Sequence, residues 1–195
     1  IYASSASVYG DVQVHHNKNK IKENDPIYPM NAYAWSKYLF DKLVMEVPEF
    51  MINVQGLRLF NVYGPGEEHK GEQQSVFGKF QGQAKNLKKI TLFEGSHDIK
   101  RDFIWVGDVC QIIEKMFDVD ATDIWNIGTG TAPSFYDIAK GYATKYDAEI
   151  EFVPLPEHLR GKYQYYTCAD NSKLINSIGD YKFKTIQEYI DASKT

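Results

Sequence analysis

Tyr33 and Lys37 stand four residues apart in the stretch YAWSKYLFDKL, positions 33–43. Four residues is close to one helical turn, so a helix here presents both side chains on one face. An ammonium beside a phenol favours the phenolate, which makes such a pair a usable acid/base. A serine hydroxyl near the same substrate oxygen would complete a set suited to a carbinol: the base takes the hydroxyl proton while a redox cofactor takes the hydride. Ser5, at the end of IYASS, is the candidate. Alone, the spacing is weak, because a chain with 14 tyrosines and 22 lysines and arginines produces it on a helix surface by composition.

The elements that must position these residues can be read from pattern. Residues 1–5 suggest a strand ending at Ser4 and Ser5. Residues 10–31 are polar and turn-rich, which predicts a long surface loop. Pro29 ends the extended segment and Asn31 can cap a helix. From Ala32 to about Val47, Trp35, Leu39, Phe40, Leu43 and Val44 recur at helical spacing, and Pro48 closes the helix. VQGLRLF at 54–60 reads as a buried strand, followed by a Gly- and Pro-rich loop, NVYGPGEEHKG. Helices are predicted at 75–87, 109–117, 134–146 and about 185–192, and strands at 89–95, 101–108, 124–130 and 149–153. Ser134 is a candidate cap, with Phe135, Ile138, Ala139 and Tyr142 on one side of its helix. Alternating strands and helices predict an α/β fold with a mostly parallel sheet, whose ligands bind beyond the carboxyl ends of the strands. Ser5 and Asn61 fall at such ends.

Composition narrows the classes. With 195 residues, 43% hydrophobic and 25% charged, the chain can bury a sizeable core. A net charge of −4 argues against nucleic acid as a partner. The basic clusters Lys18 to Lys22 and Lys85 to Lys89 read as solvated faces. No apolar run is long enough to span a bilayer, so no membrane partner is expected. Cys110 and Cys168 are too few for a disulfide framework and lack metal-ligand spacing; both are expected to be small buried residues in a reducing cytoplasm. The chain opens on Ile1 already inside a strand pattern, which leads us to expect a further N-terminal part.

Five words in order carry more than any single pair: IYASSASVYG, PMNAYAWSK, GLRLFNVYGPG, KRDFIWVGDV and WNIGTG. Together they resemble the extended short-chain dehydrogenase/reductase family of nucleotide-sugar enzymes, over essentially the whole chain. HKG, LFEGS, KRDF and GKYQYYT look most like the branch that epimerises an ADP-linked heptose at carbon 6, for the inner core of lipopolysaccharide. The resemblance implies the C-terminal portion of a Rossmann-like doubly wound sheet plus a smaller mixed α/β substrate domain. Residues 1–74 and 104–133 would belong to the first, and 75–103 and 134–195 to the second. It implies NADP, or NAD, as cofactor, a nucleotide sugar as substrate and a homo-oligomer as assembly.

Residue by residue, the resemblance gives Ser5 as catalytic serine, Tyr33 as acid/base, and Lys37 as the lysine that holds the nicotinamide ribose. Lys70 matches a second acid/base. Asn61 and Val62 match positions touching substrate and cofactor. Phe93, Glu94, Gly95 and Ser96 match a substrate loop, and Arg101 and Tyr163 match residues near the diphosphate. Glu72 and Lys79 stand where close relatives carry a substrate-contacting serine and histidine. Gly66 stands where a relative has arginine, and the loop at 11–25 is a few residues longer than expected.

Duller readings stand beside these. Lys70 could be a solvated loop lysine, and Arg101 could form a surface ion pair with Asp102. His69 could be a loop histidine, and Tyr163 and Tyr165 could be packing residues. GTG at 128–130 is better taken as a turn than as a phosphate loop, since no longer glycine-rich pattern accompanies it. The rival activities are a UDP-hexose 4-epimerase, a dehydratase, and a non-catalytic binding protein on the same fold.

Overall fold

The first strand, β1 (Tyr2–Ser5), runs straight into a 3-10 turn (Ala6–Tyr9). The computed structural model describes residues 1–12, 20–47, 52–157 and 165–193; Tyr163, Pro48 and Lys18 lie outside them. Helix α1 (Ala32–Glu46) begins where Asn31 accepts a hydrogen bond from the Ala34 N–H at 2.9 Å, the expected cap. It crosses over to β2 (Gln55–Leu59), which lies parallel to β1. Strand β7 (Asp123–Ile127) flanks β2 on the other side, also parallel, giving the order β1-β2-β7. Ser5 pairs with Leu59 and Leu59 with Ile127, so the three strands end level. Among the described residues, β1 has a ladder partner on one edge only.

Past that level edge the chain continues in a second tier. β3 (Asn61–Tyr63) pairs in parallel with β6 (Phe103–Trp105), and β5 (Lys100–Arg101) with β9 (Tyr166–Thr167). Helix α2 (Val76–Leu87) leads to β4 (Lys89–Phe93), and α4 (Phe135–Tyr146) leads to β8 (Glu149–Val153); β4 and β8 pair in parallel. Ser134 and Asp137 form a full capping box on α4. Helix α3 (Val106–Met116) precedes β7, and α5 (Ser172–Ile178) and α6 (Ile186–Ala192) finish the chain. Among the described residues every strand pair is parallel, with one isolated antiparallel bridge between Lys100 and Ser134, so the expected α/β class with a Rossmann-like parallel sheet is what the chain forms.

Three apolar clusters hold these pieces. Leu57, Ile104, Ile112, Trp125 and Leu174 pack under the main sheet. Tyr63, Phe77, Phe103, Ile138 and Tyr142 fill the space between α2, α4 and the second tier. Val8, Tyr9, Ile21 and Phe60 form a third.

Several expectations are corrected. Residues 10–31 are not all surface loop: Ile21 is fully buried, bridges to Ala169, and its N–H donates to Cys168 O at 3.0 Å. Residues 101–108 are not one strand, because helix α3 already begins at Val106. The loop predicted after residue 60 starts with strand β3. Cys110 is exposed, while Cys168 is buried as expected. On α1 the buried residues are Ala34, Asp41 and Val44; Trp35, Leu39, Phe40 and Leu43 are exposed.

Candidate active site

Ser5 lies at the carboxyl end of β1, where its Oγ accepts a hydrogen bond from the Ser7 N–H at 3.2 Å and so caps the 3-10 turn. Tyr33 sits in the first turn of α1, 56% exposed. Lys37, one turn on, places Nζ 5.7 Å from the Tyr33 ring centroid, so the pair shares a face as the spacing predicts. The same Nζ donates to the backbone oxygen of Ala3 at 2.9 Å, two residues before Ser5. That bond ties the helix bearing Tyr33 and Lys37 to the strand bearing Ser5. An ammonium has three N–H donors, so two remain for other acceptors.

Asn61 reaches Asp102, the residue next to Arg101 in the chain. The Asn61 amide donates to Asp102 O at 2.9 Å and to Thr167 Oγ1 at 3.3 Å. The buried Asp102 carboxylate accepts from Thr129 N and Thr129 Oγ1 at 2.8 Å, Gly130 N at 2.9 Å and Ala169 N at 3.0 Å. Burial pushes its carboxyl above the usual range, and these donors pull against that. The Thr129 and Gly130 amides therefore serve an internal carboxylate, which supports the turn reading over a phosphate loop. Gly128 is required here: a Cβ would stand 2.8 Å from Asp102 Oδ2 and 2.7 Å from Ala169 Cβ. Arg101 is only 8% exposed, and its NH1 donates to Lys100 O at 3.3 Å, so it is not a surface residue.

The remaining candidates lie further round the same tier. Val62 is half-buried on β3 against the Leu57 cluster. Lys70 is not simply solvated: it forms an ion pair with Glu67 at 2.9 Å, and Glu67 also accepts from Ser75 Oγ. Glu72 and Lys79, both exposed, line one groove of about 440 Å³ along α2. Phe93 to Ser96 form the turn after β4, closed by Ser96 Oγ donating to Phe93 O at 2.6 Å, with Gly95 at φ 81°. Among the described residues no hydrogen bond or ion pair joins Lys70 to Ser5 or Tyr33. His69 makes a local bond between Nδ1 and Gly66 O at 2.9 Å.

Two groups beside the site escaped sequence reasoning, Asp41 on α1 and Arg58 on β2. Both are nearly fully buried, and Arg58 Nε donates to Asp41 Oδ2 at 2.8 Å. Their signal was a lone arginine inside the apolar strand LRLF, a position where a charge needs a buried partner. Burial works against the Arg58 guanidinium, but Tyr9 and Asp41 outweigh it and hold it charged more firmly than usual.

For a dinucleotide, the residues present fit one half. An exposed tyrosine and a lysine with free donor capacity at the level edge of a parallel sheet suit a nicotinamide ribose, whereas the chain carries no glycine-rich loop for a pyrophosphate. No group of His, Cys, Asp and Glu among the described residues could hold a metal ion. No helix among them is long and apolar enough to cross a membrane.

Comparison with known proteins agrees with this fold. The Helicobacter pylori ADP-L-glycero-D-manno-heptose-6-epimerase is 28% identical with a TM-score of 0.84, over 97% of this chain and 57% of that one. The UDP-N-acetylglucosamine 4-epimerase from Methanobrevibacter ruminantium, solved with UDP-N-acetylmuramic acid, is 20% identical with a TM-score of 0.82, over 97% of this chain and 61% of that one. RMD from Pseudomonas aeruginosa, solved with NADPH, is 23% identical with a TM-score of 0.80, over 98% and 63%. This chain thus spans about three fifths of the proteins it matches. The NAD dependent epimerase/dehydratase family matches residues 1–128, the stretch that holds Ser5, Tyr33, Lys37, Asn61 and Arg101, and the chain belongs to that family.

Proposed function

We propose that this protein is a nucleotide-sugar epimerase that converts ADP-D-glycero-D-manno-heptose to its L-glycero epimer at carbon 6, in building the inner core of lipopolysaccharide. The observation that carries the catalytic part is the Lys37–Ala3 hydrogen bond, which joins the Tyr33–Lys37 helix to the Ser5 strand. Support for the substrate comes from HKG, FEGS and GKYQ, and from the heptose epimerase being the one of the three compared structures above 25% identity.

Carbon 6 of the heptose has no neighbouring carbonyl to acidify its hydrogen, so direct proton abstraction is unfavourable. Oxidation to a ketone and reduction from the opposite face avoids that step. A bound NADP, or NAD, supplies reversible hydride exchange. Tyr33 takes the hydroxyl proton as the ketone forms, with Ser5 hydrogen-bonded to the same oxygen. Lys37 holds the ribose hydroxyls with its two remaining N–H groups. Lys70, held by Glu67, returns a proton when the sugar presents its other face. Asn61, Glu72, Lys79 and the Phe93–Ser96 turn line the substrate path, and Val62 lies against the cofactor. Arg101 and Tyr163 receive the diphosphate, which a guanidinium fork suits. In this reading residues 1–74 and 104–133 form the cofactor side and 75–103 and 134–195 the substrate side. Cytoplasmic residence and homo-oligomeric assembly follow from the same resemblance.

The test is to incubate the purified protein with ADP-D-glycero-D-manno-heptose, and separately with UDP-galactose, following the sugar by proton NMR with NADP and with NAD. Turnover of the heptose alone is expected. Turnover of UDP-galactose without the heptose would sink the substrate assignment, and no binding of either dinucleotide would sink the enzyme.

A further inference from the structure

Asp41 continues the line of Tyr33 and Lys37 by one more turn of α1, so the three side chains lie along one stripe of the helix. The first is exposed, the third is 1% exposed. A buried carboxylate is tolerated only when paired and hydrogen-bonded. Here Arg58 Nε donates to one oxygen at 2.8 Å and the Tyr2 hydroxyl of β1 to the other at 2.9 Å. The same guanidinium reaches the other way: NH1 donates to Tyr9 Oη at 2.7 Å and to Glu23 O at 3.0 Å. Its carbon lies 4.9 Å from the Tyr9 ring centroid. The Tyr9 hydroxyl donates onward to Asn126 Oδ1 at 2.7 Å, on β7. Tyr9 closes the 3-10 turn that Ser5 caps.

One rigid fork thus holds both the segment that carries Ser5 and the helix that carries Tyr33 and Lys37. Apolar packing does not do this alone. Of the 15 residues of α1 only Ala34, Asp41 and Val44 are buried; Tyr38 packs half-buried on the Tyr9 cluster and the exposed Phe40 meets Tyr2 edge-on at 4.6 Å, and apolar contact of this kind is non-directional, so it leaves the angle of the helix on the sheet loosely set. Directional hydrogen bonds from a planar guanidinium remove that freedom. A hydrophobic pair of similar volume would fill the space as stably, but without a direction.

We propose that Arg58 and Asp41 are positioning residues that set the register of Tyr33 and Lys37 against Ser5. This rests on those three residues being the reacting set, as argued above. The roles are separable from mere stability, because stability follows buried volume while register follows the geometry of the fork.

The experiment uses the whole chain with the paired substitution Asp41→Leu and Arg58→Met. Two readouts are taken beside the melting temperature: kcat and KM on ADP-D-glycero-D-manno-heptose, and the NMR signal of the Lys37 ammonium, assigned by its loss in Lys37→Met. The Lys37 signal depends on the bond to Ala3 O and needs no turnover. The expected result is a melting temperature near that of the unmodified protein, a kcat about 10- to 100-fold lower with KM little changed, and a lost or broadened Lys37 signal. Should the paired variant not fold, Tyr2→Phe, which removes one tether and leaves the ion pair intact, is read the same way, with a smaller kcat loss and a shifted Lys37 signal. If the unmodified protein turns over neither sugar, the proposed activity fails and the Lys37 signal alone decides the register. An unchanged Lys37 signal in a folded variant overturns the proposal, as does unchanged kcat.

Discussion

The region around β1, α1 and β2 and the region around α2, α4 and the second tier are built on different physics. In the first, the helix that carries Tyr33 and Lys37 fully buries only Ala34 and Val44 of its apolar side chains, with Tyr38 and Phe40 in partial contact, and is further held by an ammonium on a backbone oxygen and by the Asp41–Arg58 pair. In the second, aromatic rings interlock: Tyr63 stacks on Phe77 at 3.8 Å, Phe103 meets Phe77 edge-on at 5.3 Å, and Tyr189 meets Tyr63 at 4.9 Å. Area burial is strong and tolerant of angle, whereas hydrogen-bonded ions are modest in net stability and demanding in angle. The difference teaches that the proton-handling residues are held where direction is controlled, and that the fold is anchored where area is large. Substitutions in the two regions should therefore fail in different observables.

The largest expected effect is in the first region. Tyr33→Phe should lower turnover by about 10²–10⁴-fold, the usual worth of a positioned acid/base. Its melting temperature should stay within error of the parent, because Tyr33 is 56% exposed and its ring supports no cluster. Near-normal turnover would reject the assigned role. The counterpart is Phe77→Ala, which empties a ring 1% exposed at the centre of the aromatic cluster. It should cost about 3–5 kcal/mol in chemical denaturation, with kcat per folded molecule largely kept. A Phe77→Ala protein that unfolds normally but turns over slowly would erase the contrast.

This division also explains what the sequence disclosed. Elements with a strong period or a cap were legible: α1 from Asn31, α4 from Ser134, and the apolar strands β2, β4 and β7. The Tyr33–Lys37 face was legible because helical spacing alone places it. The seat of α1 was not. Periodicity pointed to Trp35, Leu39, Phe40 and Leu43, all of them exposed, whereas the chain rests on Ala34, Asp41 and Val44. A pattern of hydrophobicity cannot foresee a helix docked through a carboxylate. Ile21 and the two-residue strand β9 were missed for a related reason, and β5 was not told apart from β6: their partners lie far along the chain, and pairing rather than local preference makes them. The hydrogen bond from Asn61 to Asp102 O likewise depends on strands β3 and β6 lying side by side, which no local word shows.

The smallest effects come from two helix caps of the same chemistry, one in each region, and they give the sharpest form of the comparison. Asn31 Oδ1 accepts the Ala34 N–H at 2.9 Å at the start of α1; Ser134 Oγ accepts the Asp137 N–H at 3.1 Å at the start of α4. Losing a cap side chain costs about 1 kcal/mol in either place. Asn31→Ala and Ser134→Ala should therefore lower stability by similar amounts in urea. Their effect on turnover should differ. Asn31 fixes the first turn of α1, which carries Tyr33 two residues later, and nothing apolar in that turn beyond Ala34 is buried to hold it. Fraying there displaces the phenol. Ser134 fixes a helix already seated by Ile138, Ala139 and Tyr142, far along the chain from Ser5, Tyr33 and Lys37. Asn31→Ala should reduce kcat severalfold while Ser134→Ala leaves it unchanged, measured on the same protein preparations used for the urea curves. Equal kcat losses would mean that the two regions share one mechanical unit, and that direction and area are not divided between them.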